Sequence, residues 1–404
     1  MLKNIVYQLY FFLSYLIGYG QSVELHVMAS LPEELEECSG MVYRQQDQKV
    51  VFINDSGNRP EILATDLKGK LTQQYCLPGA VNVDWEDLTQ DDEGYLYIGD
   101  FGNNRNRRKD LVIYKVDAEM VLSGNDSFEL QEIHYSYEDQ NGFPPDQEDR
   151  NFDMEAMVHI GDSLYLFSKN RTSPFDGYTY CYRLPDNPGE FIAEKVDSFK
   201  TGSGMKESYW IAAADFREDP RTLLLLGYDK VWMFYYFEGT RFFSGKHNVL
   251  YFNSFTQKES ISFYEDNKVL LSDEKNNSKD GKLYFIELPE ILMNTEALLQ
   301  DTSSHTDSIT AGQRYFQDSI SIGIYTTESS TVLWEAFSTN GQRLHFGKLG
   351  KIEAGHHHFQ LDTFEWTAGG YVLNILVNGR PHGFKLSKPL TPKKNNAAPE
   401  EENR

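Results

Sequence analysis

The chain has only three cysteines in 404 residues, Cys38, Cys76 and Cys181. So sparse and odd a set makes no disulfide framework, and without a CxxC spacing it makes no zinc site. All three read as buried thiols. Basic charge is also scarce: 38 Lys and Arg stand against 61 Asp and Glu, a formal net charge of −23. Such a surface repels phosphate backbones and anionic membranes, which argues against a nucleic-acid partner and leaves cations, basic peptides or neutral glycans as easier ones. Beyond the start of the chain no apolar run is long enough to span a bilayer. A glycine-rich phosphate loop, a G-x-S-x-G elbow and a Ser, His and Asp set of interpretable spacing are all missing.

The first twenty residues read as a signal peptide. Lys3 precedes an apolar stretch from Ile5 to Tyr19, and Gly18-Tyr19-Gly20 before Gln21 offers small residues for cleavage. Gln8 and Ser14 interrupt a run already shorter than the ~20 residues of a membrane anchor. A secreted or cell-surface protein, with no transmembrane segment after signal removal, is the expectation.

What is abundant is aromatic and turn-forming: 26 Phe and 25 Tyr, with frequent Asn, Asp and Gly, as in all-β proteins. Five times a cluster of acidic or small residues opens a short apolar segment: Glu37 to Met41, Asp84 to Leu88, Asp153 to Met157, Ile211 to Asp215 and Glu259 to Phe263. A second apolar segment follows each, Val50 to Asp55, Tyr95 to Asp100, Ser163 to Lys169, Thr222 to Asp229 and Lys268 to Asp273. This spacing reads as a five-bladed β-propeller with four strands per blade, a six-bladed ring being the alternative if the insert from Ser123 to Arg150 hides another blade. The fifth repeat lacks a fourth strand. Val23 to Leu31 alternates as a strand should, and beside Lys282 to Leu288 it would close the ring and remove open edges.

The predicted layout is a signal peptide over 1–20, a propeller over 21–299, a Ser/Thr/Asp-rich linker over 300–312, a small immunoglobulin-like β-sandwich over 313–388 and a disordered tail over 389–404.

Matching positions in radial blades converge on one axis, so a repeated residue type becomes a ring, and here that type is a carboxylate. Asp55, Asp84, Glu86, Asp87, Asp100, Asp153, Glu155, Glu259, Asp273 and Glu274, with Lys169, are the candidate ligand-binding set at one mouth of the channel. Glu37 and Asp229 fall at the same end. Crowded carboxylates raise one another's pKa unless a cation neutralises them, and hard oxygen donors on loops suit Ca²⁺; Asp84, Glu86, Asp100, Glu155 and Glu259 are the candidate metal ligands. The plainer reading is that acids at strand ends satisfy turn amides or a neighbouring blade's backbone. If the site is catalytic, Glu86, Asp87 and Glu155 are the candidate bases or ligands and Lys169 the cation, with Arg105, Arg107 and Arg108 nearby in sequence. His356-His357-His358 should alternate across a strand rather than converge. Asn125-Asp126-Ser127 and Asn170-Arg171-Thr172 match glycosylation sequons.

Two resemblances follow from particular stretches. Asn340-Gly341-Gln342-Arg343-Leu344, Ile352-Glu353-Ala354-Gly355, Ala368-Gly369-Gly370-Tyr371-Val372-Leu373, Asn378-Gly379 and Lys385-Leu386 resemble the type A sorting domain that Bacteroidetes proteins use for type IX secretion. That resemblance implies passage across the outer membrane by the secretion machinery. Ile53-Asn54-Asp55-Ser56-Gly57-Asn58, Asp84-Trp85-Glu86-Asp87-Leu88, Tyr97 to Asn104 and Leu271 to Lys275 resemble secreted Bacteroidetes propellers related to the esterase-like phytase family. It implies the propeller fold and, as the alternative to a ligand-binding or scaffolding module, a metal-dependent hydrolase of phosphoesters or other esters. The ligand, whether glycan, peptide or phosphoester, is not named by the residues.

Overall fold

The computed structural model describes residues 19–124, 128–275, 281–289, 308–311, 316–338, 343–378 and 380–389. The signal-peptide reading up to residue 18, the end of the propeller span over 290–299, most of the linker, the 125–127 sequon, residues 340–342 of the sorting-domain resemblance and the tail from 390 lie outside those residues.

The two earliest strands, β1 (Tyr19–Ser22) and β2 (His26–Ser30), end up in sheets built by the middle of the chain. Four-stranded meanders follow. The first is β3 (Cys38–Arg44), β4 (Lys49–Asn54), β5 (Glu61–Asp66) and β6 (Leu71–Cys76). The second is β7 (Trp85–Gln90), β8 (Tyr95–Asp100), β9 (Val112–Asp117) and β10 (Gln131–Tyr137), with the short helix α1 (Ala118–Leu122) before its last strand. The third is β11 (Met154–Ile160), β12 (Ser163–Ser168), β13 (Tyr178–Pro185) and β14 (Gly189–Lys200); β14 pairs parallel with β10 and joins the two outer edges. The fourth is β15 (Ala213–Arg217), β16 (Thr222–Leu226), β17 (Lys230–Tyr235) and β18 (Lys246–Tyr251), with β1 added in parallel. The fifth is β19 (Lys258–Glu265), β20 (Lys268–Asp273) and β21 (Lys282–Glu287), completed by β2 running antiparallel to β21.

The first strands touch in a closed circle, β3 to β7, β7 to β11, β11 to β15, β15 to β19 and β19 back to β3. Between each pair of neighbouring sheets lies one apolar cluster, and each cluster draws on both sheets. This is the geometry of a β-propeller. The sequence follows from it: a second strand is covered on both faces and reads as a continuous apolar run, Val50-Val51-Phe52-Ile53 or Leu223-Leu224-Leu225-Leu226, all fully buried. An outer strand such as β6 alternates between half-buried and exposed.

Residues 19–31 refine the closing-strand reading. Val23 donates its N–H to Tyr251 and so belongs with the fourth sheet, which leaves the shorter β2 to complete the fifth. Tyr19 and Gly20 already pair within β1. Among the cysteines, Cys38 and Cys181 are buried as free thiols, whereas Cys76 is exposed, because it sits on an outward position of the outer strand β6.

The carboxy-terminal unit has two sheets. One is β22 (Ser308–Ala311), β23 (Ser319–Thr326) and β26 (Gly355–Asp362); the other orders β25 (Arg343–Ile352), β24 (Ser330–Ser338), β27 (Gly369–Val377) and β28 (Arg380–Lys388). They share a core of Ile320, Ile322, Ile324, Val332, Leu373 and Ile375, which makes a β-sandwich. β22 occupies the end of the segment read as linker, where Ile309 packs against that core. The histidine run alternates as expected: His356 packs on Tyr325, while Nε2 of His357 lies 2.6 Å from the Glu353 carbonyl.

Because Phe52 fills a fully buried position between the fifth and first sheets, Phe52→Ala should cost about 3–5 kcal/mol in denaturant unfolding. Ile192→Thr, on the exposed face of β14, should stay within about 0.5 kcal/mol of the parent.

Candidate functional site

The pairing of each first strand with its second is interrupted at the same place. Register jumps from Cys38 to Gly40, Trp85 to Asp87, Met154 to Ala156 and Lys258 to Ser260, while the partner strand advances by a single residue. The extra residues are Ser39, Glu86, Glu155 and Glu259. A β-bulge of this kind bends the strand and re-aims its unpaired side chain. Here it turns three glutamates into one space. Glu86 feels Glu155, and Glu155 and Glu259 both feel the charge of Lys169. The fourth sheet pairs Ala213 and Ala214 without a jump, and no acid enters from it.

A second set enters from the far end of the second strands. Asp55, Gly102, Lys169 and Glu274 each donate a backbone N–H to the carbonyl two residues before a bulge, Glu37, Asp84, Asp153 and Gln257, at 2.8, 3.1, 2.7 and 3.0 Å. Three of these four positions carry charged side chains and the fourth is glycine. A Cβ on Gly102 would lie 2.2 Å from Oε1 of Glu86 and 2.5 Å from Oδ2 of Asp84. That bare position is where carboxylates gather: Asp55, Asp84 and Glu86 each bring an oxygen within 4.8 Å of the others.

Lys169 is the central cation. Its Nζ sits 2.8 Å from Oε2 of Glu155 and lies over the rings of Trp210 and Tyr228. Burial pulls its pKa down, but Glu155 and Glu259 outweigh that and hold it well above the ordinary lysine value. Arg171 joins from the same loop, with Nε at 2.5 Å from Asp153, Nη2 at 3.3 Å from Glu155, and its plane over Trp210. Tyr228 donates to Oε1 of Glu259 at 3.2 Å. The Glu155 side of the mouth is thus paired with the chain's own cations, whereas among the described residues Asp55, Asp84 and Glu86 form no ion pair.

Carboxyl pKa values reflect this. Asp84 is pushed up to about 7 by burial and then by Asp55, Asp153 and Glu155. Glu274 is pushed up to about 8 by burial and then by Glu259, Asp55 and Glu37. Glu86 lies well above the usual range, through burial first and then Glu155 and Asp55. Burial raises Asp55 as well, and Asp153 reaches about 6 despite Arg171.

Several acids proposed from the sequence lie elsewhere. Asp273, opposite Lys258, stands one residue before the mouth position Glu274, so its side chain turns away, while Asp100, opposite Trp85 and two residues before Gly102, is held by other partners. Asp100 accepts from the N–H groups of Val83 and Asp84 and pairs with Arg108 at 2.8 Å; Asp273 accepts from the Lys282 N–H and the Tyr284 hydroxyl. Asp87 accepts from the N–H groups of Met157 and Ala214, tying the second sheet to the third and fourth. Asp153 anchors Asn103 and Arg171. These four fit the plainer, backbone-satisfying reading. Glu37 is exposed and bonds Asn58, and Asp229 is buried against Arg343.

Arg171, Trp210, Tyr228 and Gly102 had no counterpart in the sequence reading. Arg171 is the middle of the second sequon. Its Asn170 is buried and donates to the Tyr178 carbonyl, which leaves the side chain no room for a glycan.

No protein-family model matches the sequence, and neither does any curated protein. Among solved structures the chain is similar to the PQQ-bound aldose sugar dehydrogenase of Streptomyces coelicolor, at 9% identity over 66% of this chain and 98% of that one, with a TM-score of 0.40. It is also similar to a gluconolactonase of Xanthomonas campestris, at 9% identity over 65% and 88% of the two chains, with a TM-score of 0.36.

Carboxyls whose pKa is raised by folding bind more protons in the folded chain than in the unfolded one. Their stabilising effect is complete below about pH 4 and is lost as pH rises through the folded values near 6, 7 and 8. In chelator, the melting temperature should therefore fall between pH 5 and 8, and Glu274→Gln should flatten the upper part of that fall. A rise over the same interval would contradict the crowding described.

Proposed function

We propose that the chain is a five-bladed propeller whose channel mouth binds a divalent cation through Asp55, Asp84 and Glu86, and that it works as a ligand-binding module. The observation that carries this reading is the convergence of those three carboxylates over Gly102, where any side chain would fill the space. Oxygen donors of this kind suit Ca²⁺ better than zinc or copper. A bound cation would keep an open face toward the channel, and Glu274, Trp210 and Tyr228 would border whatever oxygen-bearing ligand completes it. Export directed by residues 1–20, and a carboxy-terminal immunoglobulin-like unit of the sorting-domain type, would place the module at the cell surface.

One feature favours hydrolysis as a second reading. Glu274, with a pKa near 8, is in the range of a general acid. Against phosphoesters stands the engagement of Lys169 and Arg171 with Glu155 and Asp153, which already occupies those two cations.

Calcium titration by calorimetry, with melting curves on the same samples, tests the site. The wild-type chain should bind, and saturation at about 100 times Kd should add roughly 2.7 kcal/mol of stability. Gly102→Ala changes no charge, yet should weaken binding at least tenfold, as should Glu86→Gln. Equal affinity in Gly102→Ala and wild type would remove the cation from this place. Turnover of chromogenic phosphate or carboxylate esters that disappears with chelator and with Glu86→Gln would select the hydrolase.

A further inference from the structure

Asp229 follows Tyr228 in the turn between β16 and β17, and its carboxylate belongs to a different environment from that of the mouth acids. It is fully buried, 2.6 Å from Nη1 of Arg343, the first residue of β25, and 3.2 Å from Nζ of Lys230. The same Arg343 nitrogen reaches Oε1 of Glu335 on β24 at 2.9 Å. Around this clamp Asn374 donates to the Tyr209 hydroxyl at 3.3 Å, and Leu333 and Leu376 pack into the apolar cluster of Tyr209, Ile211, Trp232 and Tyr251. The sandwich is therefore seated on the fourth sheet by buried charge and apolar area together.

Arg343 also faces the channel side. Its guanidinium lies 4.7 Å from the centroid of the Phe255 ring. Phe255 meets Tyr228 edge-on, at 5.8 Å and 88°. Tyr228 in turn donates to Glu259 and carries Lys169 over its ring. An unbroken series of contacts runs from the sandwich to two charged groups of the mouth.

We propose that the docked sandwich is the support for one wall of the mouth: Arg343, acting through Phe255, fixes Tyr228 and thereby the placement of Glu259 and Lys169. Arg343 is a positioning residue and does not touch the cation site. The fourth sheet is the place where such a support is needed, since it has no bulge and sends no charged side chain of its own inward. Such coupling has physical content only if both ends respond to one change in the middle. That the wall serves a ligand rests on the function proposed above; that Arg343 orders it does not.

The test is hydrogen exchange by mass spectrometry on the full chain, comparing wild type, Arg343→Met and Phe255→Ala. Peptides over 209–213 and 249–252 report the seat of the sandwich, those over 257–261 report the wall, and those over 111–122 serve as a remote reference. Arg343→Met should speed exchange about tenfold or more at both seat and wall, with the reference unchanged. Phe255→Ala should loosen the wall alone. The proposal is overturned if Arg343→Met loosens only the seat, or if Phe255→Ala leaves the wall at its wild-type rate. Should Arg343→Met loosen the reference as well, through general destabilisation, Phe255→Ala decides alone. Calcium titration of the same samples separates the two readings: a wild type that binds no calcium removes the function proposed above, while the exchange pattern still decides the role of Arg343.

Discussion

The β-bulge at the start of a first strand is the constraint on which the site depends. In a regular strand successive side chains alternate faces, so a glutamate between two core residues would point into the packing between sheets. One unpaired residue in the ladder breaks that alternation once, without disturbing the apolar positions before and after it. Trp85, Met154 and Lys258 stay buried on one side of the jump, and Leu88, Met157 and Ile261 on the other, while Glu86, Glu155 and Glu259 are delivered to the axis. The acidic mouth is thus compatible with a fully packed ring because the bulge separates the two demands on one short segment.

Bringing carboxylates together costs free energy, and the structure offsets it on only one side. Lys169 and Arg171 neutralise Glu155 and Asp153, with Trp210 covering the cations, so that quarter behaves as a structural ion-pair network. Among the described residues Asp55, Asp84 and Glu86 have no such ion pair, and Gly102 puts no side chain beside them. Burial first, and neighbouring acids after it, raise their pKa values. The cation site proposed above rests on this asymmetry between the two sides rather than on the number of acids.

The repeats were legible because each blade must satisfy the same packing: two apolar segments flanked by turns, recurring along the chain, fix the existence of the sheets and the need for an amino-terminal strand at the open edge. Which acids meet was not legible to the same depth. Asp273 looks equivalent to Asp55 in a list of strand ends, but it stands one step earlier, a single register step reverses the face a side chain occupies, and hydrophobic pattern alone does not set register at a strand's last residue. The recurring Glu at the second position of Trp-Glu-Asp-Leu, Met-Glu-Ala-Met and Lys-Glu-Ser-Ile was the signal that could have separated the two classes, since a charged residue between two core positions calls for a bulge. Arg171 and Tyr228 were hidden for another reason: each reaches the mouth from a loop whose course depends on neighbouring sheets.

The exception in the fourth repeat then follows from the same logic. Without a bulge, Ala212 to Ala214 leave the axis uncharged on that side, and in the turn after the second strand Tyr228 meets Glu259 while Asp229 holds Arg343. A carboxylate buried this completely would be destabilising if left alone, so the sheet and the sandwich are bound to each other by charge that neither can expose cheaply. The irregular blade is therefore the one suited to carry a second unit: what it gives up at the channel it recovers at its outer contact, and Phe255 and Tyr228 link the two faces of that single sheet.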